Sequence, residues 1–175
     1  MNRKNTKQLV WYVGYGSNLS RERFECYIKG GISKYSTRKS PYKEMSDPTP
    51  PVNSCGYRVP YKIYFAMKRP NWGNGGVAFL DDLKPGDTLG RMWLIKKKQY
   101  DELLRLEGLT WYDKGILLGE KEGIPIYTIT HSIRYTPDVA PSEGYLRTIE
   151  EGLADIFSED EYRKYIGELR KKLAE

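Results

Sequence analysis

The stretch Val13-Gly14-Tyr15-Gly16-Ser17-Asn18-Leu19 joins a short apolar strand, residues 9–13, to a helical pattern that begins at Ser20. Two glycines at such a junction let the backbone turn sharply and leave successive N–H groups pointing away from the chain. Next to a helix N-terminus, these groups suit a carboxylate, a phosphate or a developing oxyanion. The same residues are compatible with an ordinary Gly-Ser-Asn turn that caps a helix. No Gly-Lys-Ser/Thr follows, so the stretch is not a Walker loop, and it lacks the full glycine pattern of a dinucleotide-binding fold.

The length and composition predict a single domain spanning residues 1–175, which we expect in the cytoplasm. A chain of 175 residues is long enough to bury one substantial core. It has no apolar run long enough to cross a membrane, and its basic start, residues 1–7, is not followed by the apolar core of a signal peptide. We therefore expect no membrane partner.

The cysteines and the histidine give little support for thiol or metal chemistry. Cys26 and Cys55 are too few for a disulfide scaffold, and neither belongs to a Cys-x-x-Cys pair. A thiol nucleophile paired with His131, the only histidine, is conceivable from residue types, but two buried or neutral cysteines fit the pattern better. With scattered carboxylates and one histidine, no metal-ligand cluster can be drawn, and we expect no cofactor.

The basic charge raises the question of a nucleic-acid partner. The net charge is +6, and the 15 tyrosines could provide stacking surfaces for bases. However, the basic residues are mixed with acids, and the only runs of three lie at residues 96–98 and 170–172. Runs this short are typical of solvated faces. A basic RNA-binding module therefore stays a minor alternative, and we expect no nucleic-acid partner.

The order of patterns along the chain predicts an α+β fold. Strands are predicted at residues 57–67, 77–80, 88–95, 116–118 and 124–131, with a turn at Pro85-Gly86-Asp87. Helices are predicted at residues 96–106 and 141–157, and a capping box at Ser158-Glu159-Asp160-Glu161 starts a last one. Residues 34–53 are polar and carry four prolines. They predict an irregular loop, either a lid or wall of a site or a disordered surface excursion.

Glu107 is the carboxylate that the pattern singles out. It lies where the apolar stripe of a helix ends before Gly108, and Leu106, Leu109 and Trp111 surround it in sequence. Partial burial among such neighbours would raise its pKa toward the range that suits a general base. An exposed glutamate at a helix C-terminus is the alternative interpretation.

Several of these stretches, in this order, resemble the γ-glutamylcyclotransferases. The most specific is Tyr15-Gly16-Ser17-Asn18-Leu19 directly after a first strand, and Leu106-Glu107-Gly108 at a helix end adds to it. Weaker matches are Glu22-Arg23-Phe24, Gly75-Gly76-Val77-Ala78, Leu89-Gly90-Arg91-Met92-Trp93 and Pro141-Ser142-Glu143-Gly144-Tyr145. The likeness runs from about residue 12 to residue 155. It implies a small mixed β-barrel flanked by helices, with a cavity at one end.

The resemblance also implies an activity and the residues for it. The chain would be a cofactor-free enzyme that releases 5-oxoproline and an amine from a small-molecule γ-glutamyl amide or peptide by intramolecular acyl transfer. Glu107 would be the general acid and base. The backbone of Tyr15, Gly16, Ser17, Asn18 and Leu19 would cradle the γ-glutamyl group, and Tyr112, Tyr127 and Tyr145 would line the cavity. Residues 34–53 and 138–141 follow no strict family pattern, and we expect them to set the substrate.

The sequence leaves several properties open. A non-catalytic binder of a γ-glutamyl or amino-acid ligand would keep the same cavity. The leaving amine is open among an amino acid, a polyamine, a glutathione-type peptide and an antibiotic intermediate. The oligomeric state is open too, a homodimer included.

Overall fold

A computed structural model describes residues 8–108 and 111–175. Its main elements, in chain order, are β1 Leu9–Gly14, α1 Arg21–Lys29, β2 Asn53–Arg69, β3 Gly75–Lys96, α2 Lys97–Gly108, β4 Lys114–Lys121, β5 Ile124–Thr130, α3 Glu143–Ala154 and α4 Glu159–Ala174. Single 3-10 turns lie at Ser17–Leu19 and Pro70–Trp72. The predicted α+β class is confirmed. The basic start at residues 1–7 and Leu109, both used above, lie outside the described residues.

The strands form one mixed sheet, which is curled but open. Its order is β2-β3-β1-β5-β4, with β1 parallel to β5 and every other neighbouring pair antiparallel. The strands β2 and β4 are its edges within the described ranges, so the sheet does not close into the barrel that the resemblance implied. The sheet curls so that β3 comes into contact with β5. There, the hydroxyl of Thr130 on β5 accepts from the N–H of Leu80 on β3 at 2.9 Å and donates to the carbonyl of Leu80 at 3.1 Å. Four helices flank this sheet, as expected.

The long strand β3 corrects one prediction. Pro85-Gly86-Asp87 does not form a turn between two strands, since β3 runs through it as a single strand of 22 residues. Lys62 of β2 pairs with Asp81, but the preceding Tyr61 pairs with Pro85, so residues 82–84 bulge out of the ladder. A Cβ on Gly86 would lie 2.7 Å from the backbone of Lys62. The glycine therefore serves a close strand contact at a bulge, where a proline is also tolerated.

The central strand β1 is buried on both faces. Trp11 and Val13 pack into the larger core cluster, while Val10 and Tyr12 pack into a smaller cluster with α1 and α2. This division follows from the pleat, which sends successive side chains to opposite faces. As a result, the residues that follow β1, 15–19, lie at one end of the sheet, between the two core clusters. We call residues 15–19 the cradle turn.

Serine side chains cap the start of three helices. The hydroxyl of Ser20 accepts from the N–H of Arg23 at 3.2 Å, and Ser142 caps α3 in the same way. Ser158 and Glu161 form the predicted capping box at the start of α4. None of the helices within residues 8–108 and 111–175 combines the length and the apolar character that a membrane span needs.

Helix α3 packs against the cradle turn at Gly152. A Cβ at this position would lie 2.3 Å from the carbonyl carbon of Leu19 and 2.6 Å from the amide nitrogen of Ser20. Both are backbone atoms, which cannot swing aside as the end of a flexible side chain can. Gly152 therefore sets how closely α3 approaches the cradle turn.

Replacing Gly152 with alanine should destabilise the fold. We expect a loss of about 1–3 kcal/mol in the free energy of unfolding, because the added methyl group forces α3 away from the cradle turn. Urea denaturation measures this loss. Gly167→Ala in α4 is the matched control, since no atom lies within 4 Å of the added carbon. The control should gain up to about 1 kcal/mol from helix propensity. Equal effects of the two substitutions would contradict the packing argument.

Candidate active site

A cavity opens at the C-terminal end of β1. Its wall combines the cradle turn with parts of α1, α2, α3, the start of β3 and the loop that precedes β2. Among the sequence-predicted site residues, those that line it are Tyr15, Gly16, Ser17, Asn18, Glu107, Tyr112 and Tyr145. Residues from both ends of the likeness therefore meet around one space.

Two predicted site residues lie elsewhere. The side chain of Leu19 is fully buried in the larger core cluster, so only the backbone of this residue belongs to the cradle turn. Tyr127 pairs with Tyr12 across β1 and β5, and its ring stacks on Tyr100 of α2 with 5.0 Å between centroids. Ile129, two residues further along β5, lines the cavity on that strand instead.

The cradle turn is fixed by hydrogen bonds from the C-terminal part of β3. The indole N–H of Trp93 donates to the carbonyl of Asn18 at 2.9 Å, and the Arg91 guanidinium donates to the carbonyl of Leu19 at 3.3 Å. Gly16 makes room on the opposite side, because a Cβ there would lie 2.5 Å from the hydroxyl oxygen of Tyr145. The shape of the turn is therefore set by the protein itself.

The backbone of Ala78 holds two of the predicted tyrosines in the wall. Its N–H donates to the Tyr145 hydroxyl at 3.1 Å, and its carbonyl accepts from the Tyr112 hydroxyl at 2.8 Å. The backbone of Ser17 also lies within hydrogen-bonding range of the Tyr145 hydroxyl. Burial raises the pKa of both tyrosines, so both hydroxyls stay protonated near neutral pH.

Glu107 faces the cavity from the last turn of α2 and is partly buried. The Tyr27 hydroxyl donates to its carboxylate. Burial raises the pKa of Glu107, and this outweighs the opposite effects of the Tyr27 hydrogen bond and of the charges on Arg23 and Arg69. The partial burial expected from the sequence is present. A carboxyl group with a raised pKa in a cavity is suited to accept and return a proton.

Among the lining residues that sequence reasoning missed is a cluster formed by Arg23 and Tyr27 of α1 and Tyr42 of the loop between α1 and β2. The guanidinium of Arg23 lies over the rings of Tyr27 and Tyr42, at 4.2 and 4.6 Å from their centroids, and donates to the Tyr42 hydroxyl at 3.0 Å. The four-residue spacing of Arg23 and Tyr27 puts them on one helix face, directly after the cradle turn. That spacing was a usable signal. Nothing local distinguishes Tyr42.

The loop at residues 34–52 forms an ordered wall of the site. Tyr42 lines the cavity, and the loop is fastened on both sides of this residue. On one side, the N–H of Thr37 donates to the carbonyl of Asn71 at 2.8 Å. On the other, the Gln99 amide of α2 donates to the carbonyls of Asp47 and Thr49 at 2.9 and 2.8 Å. Of the two alternatives for this loop, the packed wall is therefore the correct one.

A wider cleft adjoins the cavity on the solvent side. The inner cavity has a volume of about 70 Å³, and this outer cleft has about 550 Å³. Tyr27, Tyr42, Arg69 and Glu107 border both spaces. A ligand would therefore insert one small group into the cavity and leave the rest in the outer cleft.

The segment 138–141, which we expected to set the substrate, lies outside this wall. Residues 138–141 pack on β2 and β3, where the N–H of Val139 donates to the carbonyl of Phe65 at 2.9 Å. They do not line the cavity as the structure describes it.

Within the described ranges, no group of three or more His, Cys, Asp or Glu residues is placed to hold a metal ion.

Comparisons with solved structures identify the fold. A γ-glutamyl cyclotransferase superposes with a TM-score of 0.64 at 19% identity, over 91% of this chain and 86% of that one. An uncharacterized protein from Homo sapiens gives 0.62 at 20% identity, over 91% and 87% of the two chains. YkqA from Bacillus subtilis gives 0.62 at 20% identity, over 94% of this chain and 55% of that one. The chain therefore has the γ-glutamylcyclotransferase-like fold.

Comparison of sequences adds one curated relative. Histone deacetylase 5 of Arabidopsis thaliana is 26% identical over 200 residues, which cover 90% of this chain. The chain spans only 30% of the length of that relative. No model of a known protein family matches the sequence.

Replacing Gln99 with leucine should loosen the loop at residues 34–52. The carbonyls of Asp47, which is buried, and of Thr49, which is exposed, would lose their donor. A buried acceptor without a partner, here the carbonyl of Asp47, costs about 1–3 kcal/mol. We expect trypsin to cut the loop faster than in the unchanged protein. Asp101→Asn on the same helix is the control, because its exposed ion pair with Lys97 is worth less than about 1 kcal/mol. Equal cleavage rates would show that Gln99 does not anchor the loop.

Proposed function

We propose that this chain is a cofactor-free γ-glutamyl cyclotransferase, with Glu107 as general acid and base and the cradle turn as the substrate-binding backbone. The observation that carries the proposal is that Glu107, with its raised pKa, borders the same cavity as the cradle turn. These two elements are separated by about 90 positions in the sequence. The likeness of fold to a γ-glutamyl cyclotransferase supports the same activity.

The reaction requires little more than positioning and proton transfer. The α-amine nitrogen of the substrate attacks its own δ-carbonyl carbon, a new C–N bond closes the five-membered ring, and the original amide C–N bond breaks. Because the attack is intramolecular, holding the substrate in the folded conformer supplies much of the rate. The step is redox-neutral, and its products are 5-oxoproline and the free amine.

Glu107 handles the proton in both halves of the reaction. The α-ammonium must lose a proton before its nitrogen can attack, and the Glu107 carboxylate accepts it. The leaving amine must gain a proton as the amide bond breaks, and the protonated Glu107 returns it. Acid–base assistance of this kind is typically worth about 10²–10⁴-fold in rate.

Fixed donors of the wall would stabilise the oxygen of the δ-carbonyl. This oxygen gains negative charge as the nitrogen attacks, so donors that are already in place require no rearrangement. Residues 15–18 of the cradle turn border the cavity, and their backbone N–H groups are the candidates for such donors. Losing one such donor typically lowers the rate about 10²–10³-fold.

The direct test is a screen of γ-glutamyl compounds in which mass spectrometry detects 5-oxoproline. The unchanged protein should release it from at least one γ-glutamyl amine or peptide. Glu107→Gln should lower that turnover by at least about 10²-fold, because a carboxamide cannot accept the proton. Its melting temperature should stay close to that of the unchanged protein.

The matched control is Glu168→Gln, which removes the same charge from an exposed position on α4. It should leave turnover unchanged. Equal turnover by Glu107→Gln and the unchanged protein would exclude Glu107 as the base. Tight binding without release of 5-oxoproline would instead identify a non-catalytic binder.

The pH profile offers a second test. Activity should fall as the pH drops through the pKa of Glu107, and this acid limb should lie above the ordinary glutamate value of about 4.3. In Tyr27→Phe, the carboxylate loses a hydrogen bond that lowers its pKa, so the limb should move to higher pH. Tyr57→Phe on β2, away from the cavity, should not move it. A shift to lower pH in Tyr27→Phe would refute the assignment of the limb to Glu107.

A further inference from the structure

Two buried polar atoms of the cavity wall lack a hydrogen-bond partner within the described part of the chain. They are Nη1 of Arg23 and the side-chain oxygen Oδ1 of Asn18. Arg23 is 2% exposed and Asn18 is 8% exposed, so water does not compensate them freely. An unpaired buried donor or acceptor is costly, most of all a charged one, and native proteins keep few of them. Of the five such atoms within the described residues, these two belong to residues that line the cavity, where a bound ligand could pair with them.

The surroundings of Arg23 fix its orientation and its charge. The rings of Tyr27 and Tyr42 cover its faces, and Nη2 is held by the Tyr42 hydroxyl. Arg38 packs on Tyr42 at 3.8 Å from the ring centroid and supports it. Burial opposes the charge, but Tyr27, Tyr42 and Glu107 outweigh it and keep the pKa of Arg23 above its ordinary value. Arg23 is thus a rigid cation with one N–H₂ group left to bind an anion.

We propose that Arg23 binds the α-carboxylate of the glutamyl group, while Oδ1 of Asn18 accepts a hydrogen bond from the neighbouring α-ammonium. This inference rests on the function proposed above. An α-amino acid group carries an anion and a cation on the same carbon atom, which matches an unpaired cationic donor and an unpaired acceptor in one small cavity. Guanidinium–carboxylate hydrogen bonds are also among the strongest in proteins, because both partners are charged.

Arg69 is the other cation of the wall, and it is less suited to this role. It is partly exposed, lies over the ring of Trp111 at 4.8 Å and borders the outer cleft as well as the cavity. Arg23 borders the inner cavity and is nearly fully buried. A carboxylate inside the cavity therefore meets Arg23, and Arg69 is placed for groups of the leaving amine.

The assignment divides the polar groups of the site between different parts of the substrate. With the α-carboxylate on Arg23, the backbone N–H groups of residues 15–18 are left for the δ-carbonyl oxygen, whereas the N–H of Leu19 donates to the carbonyl of Gly16. It also defines the substrate class: γ-glutamyl compounds whose α-carboxylate and α-amine are both free. Compounds in which the α-carboxyl group is an amide or an ester would be poor ligands.

Calorimetry with two matched ligands tests the role of Arg23. The ligands are γ-glutamyl ethylamide, whose leaving amine has no carboxylate, and its analogue with an α-carboxamide in place of the α-carboxylate. Binding is measured on Glu107→Gln so that turnover does not interfere. We expect the carboxamide to bind about 10- to 100-fold more weakly, which is the range for one hydrogen bond to a charged group. Equal affinities, or no binding of either ligand, would overturn the proposal.

The variant Arg23→Met, in the same background, completes the test. It keeps the length of the side chain but removes the charge, so the two ligands should bind with equal affinity. Arg23→Lys keeps the charge without the planar fork and should restore part of the preference. Melting temperatures report whether each variant folds. If Arg23→Met unfolds, the comparison of the two ligands on the Arg23 protein still decides the proposal. A preference that persists in a folded Arg23→Met protein would overturn it.

Turnover by the unchanged protein separates this inference from the proposed function. If both ligands release 5-oxoproline with equal kcat/KM, the function stands and the role of Arg23 is wrong. If neither ligand nor any other γ-glutamyl compound is turned over but the carboxylate ligand binds better, the site binds the amino acid group without catalysis. The two failures therefore give different results.

Discussion

The site depends on the close contact between Gly152 of α3 and the backbone of the cradle turn. With no side chain in between, the helix lies directly on the turn, while Trp93 and Arg91 hold its carbonyl groups from the β3 side. The turn is therefore clamped between a helix and the centre of a sheet. Because these contacts are formed by the fold, the amide groups of the turn need no ligand to order them. This preorganisation is what an oxyanion-binding backbone requires.

The cavity contains an acid, Glu107, and a base, Arg23, whose surroundings shift their protonation differently. Glu107 is held where burial favours its neutral form, so it exchanges a proton readily. Arg23 is held where tyrosine hydroxyls and rings keep it charged, so it does not exchange one. Burial acts on both side chains, and their neighbours decide the different outcomes. The proposed function uses Glu107 for proton transfer and Arg23 for anchoring within this small space.

Local signals explain which parts were predictable from the sequence. The turn after β1, the helix start at Ser20 and the capping box at Ser158 depend on residues a few positions apart, and each appears where the pattern indicated. The bulge at Pro85-Gly86-Asp87 was read as a turn, because its geometry depends on the partner strand β2. Tyr127 was assigned to the cavity. The register of β5 against β1 instead pairs it with Tyr12, and its ring stacks on Tyr100. The roles of Arg23 and Tyr42 arise only when α1 and the loop fold against each other.

The attachment of the loop at residues 34–52 bears on how such sites diversify. One end of the loop is fastened to Asn71, but the other is held by Gln99, a residue of α2, the same helix that carries Glu107. A loop of different length or composition loses the contact with the amide of Gln99 unless that helix changes with it. A chimera built in the laboratory keeps this contact when the loop and the first turn of α2 are exchanged together. Glu107, in the last turn of the same helix, can then stay unchanged.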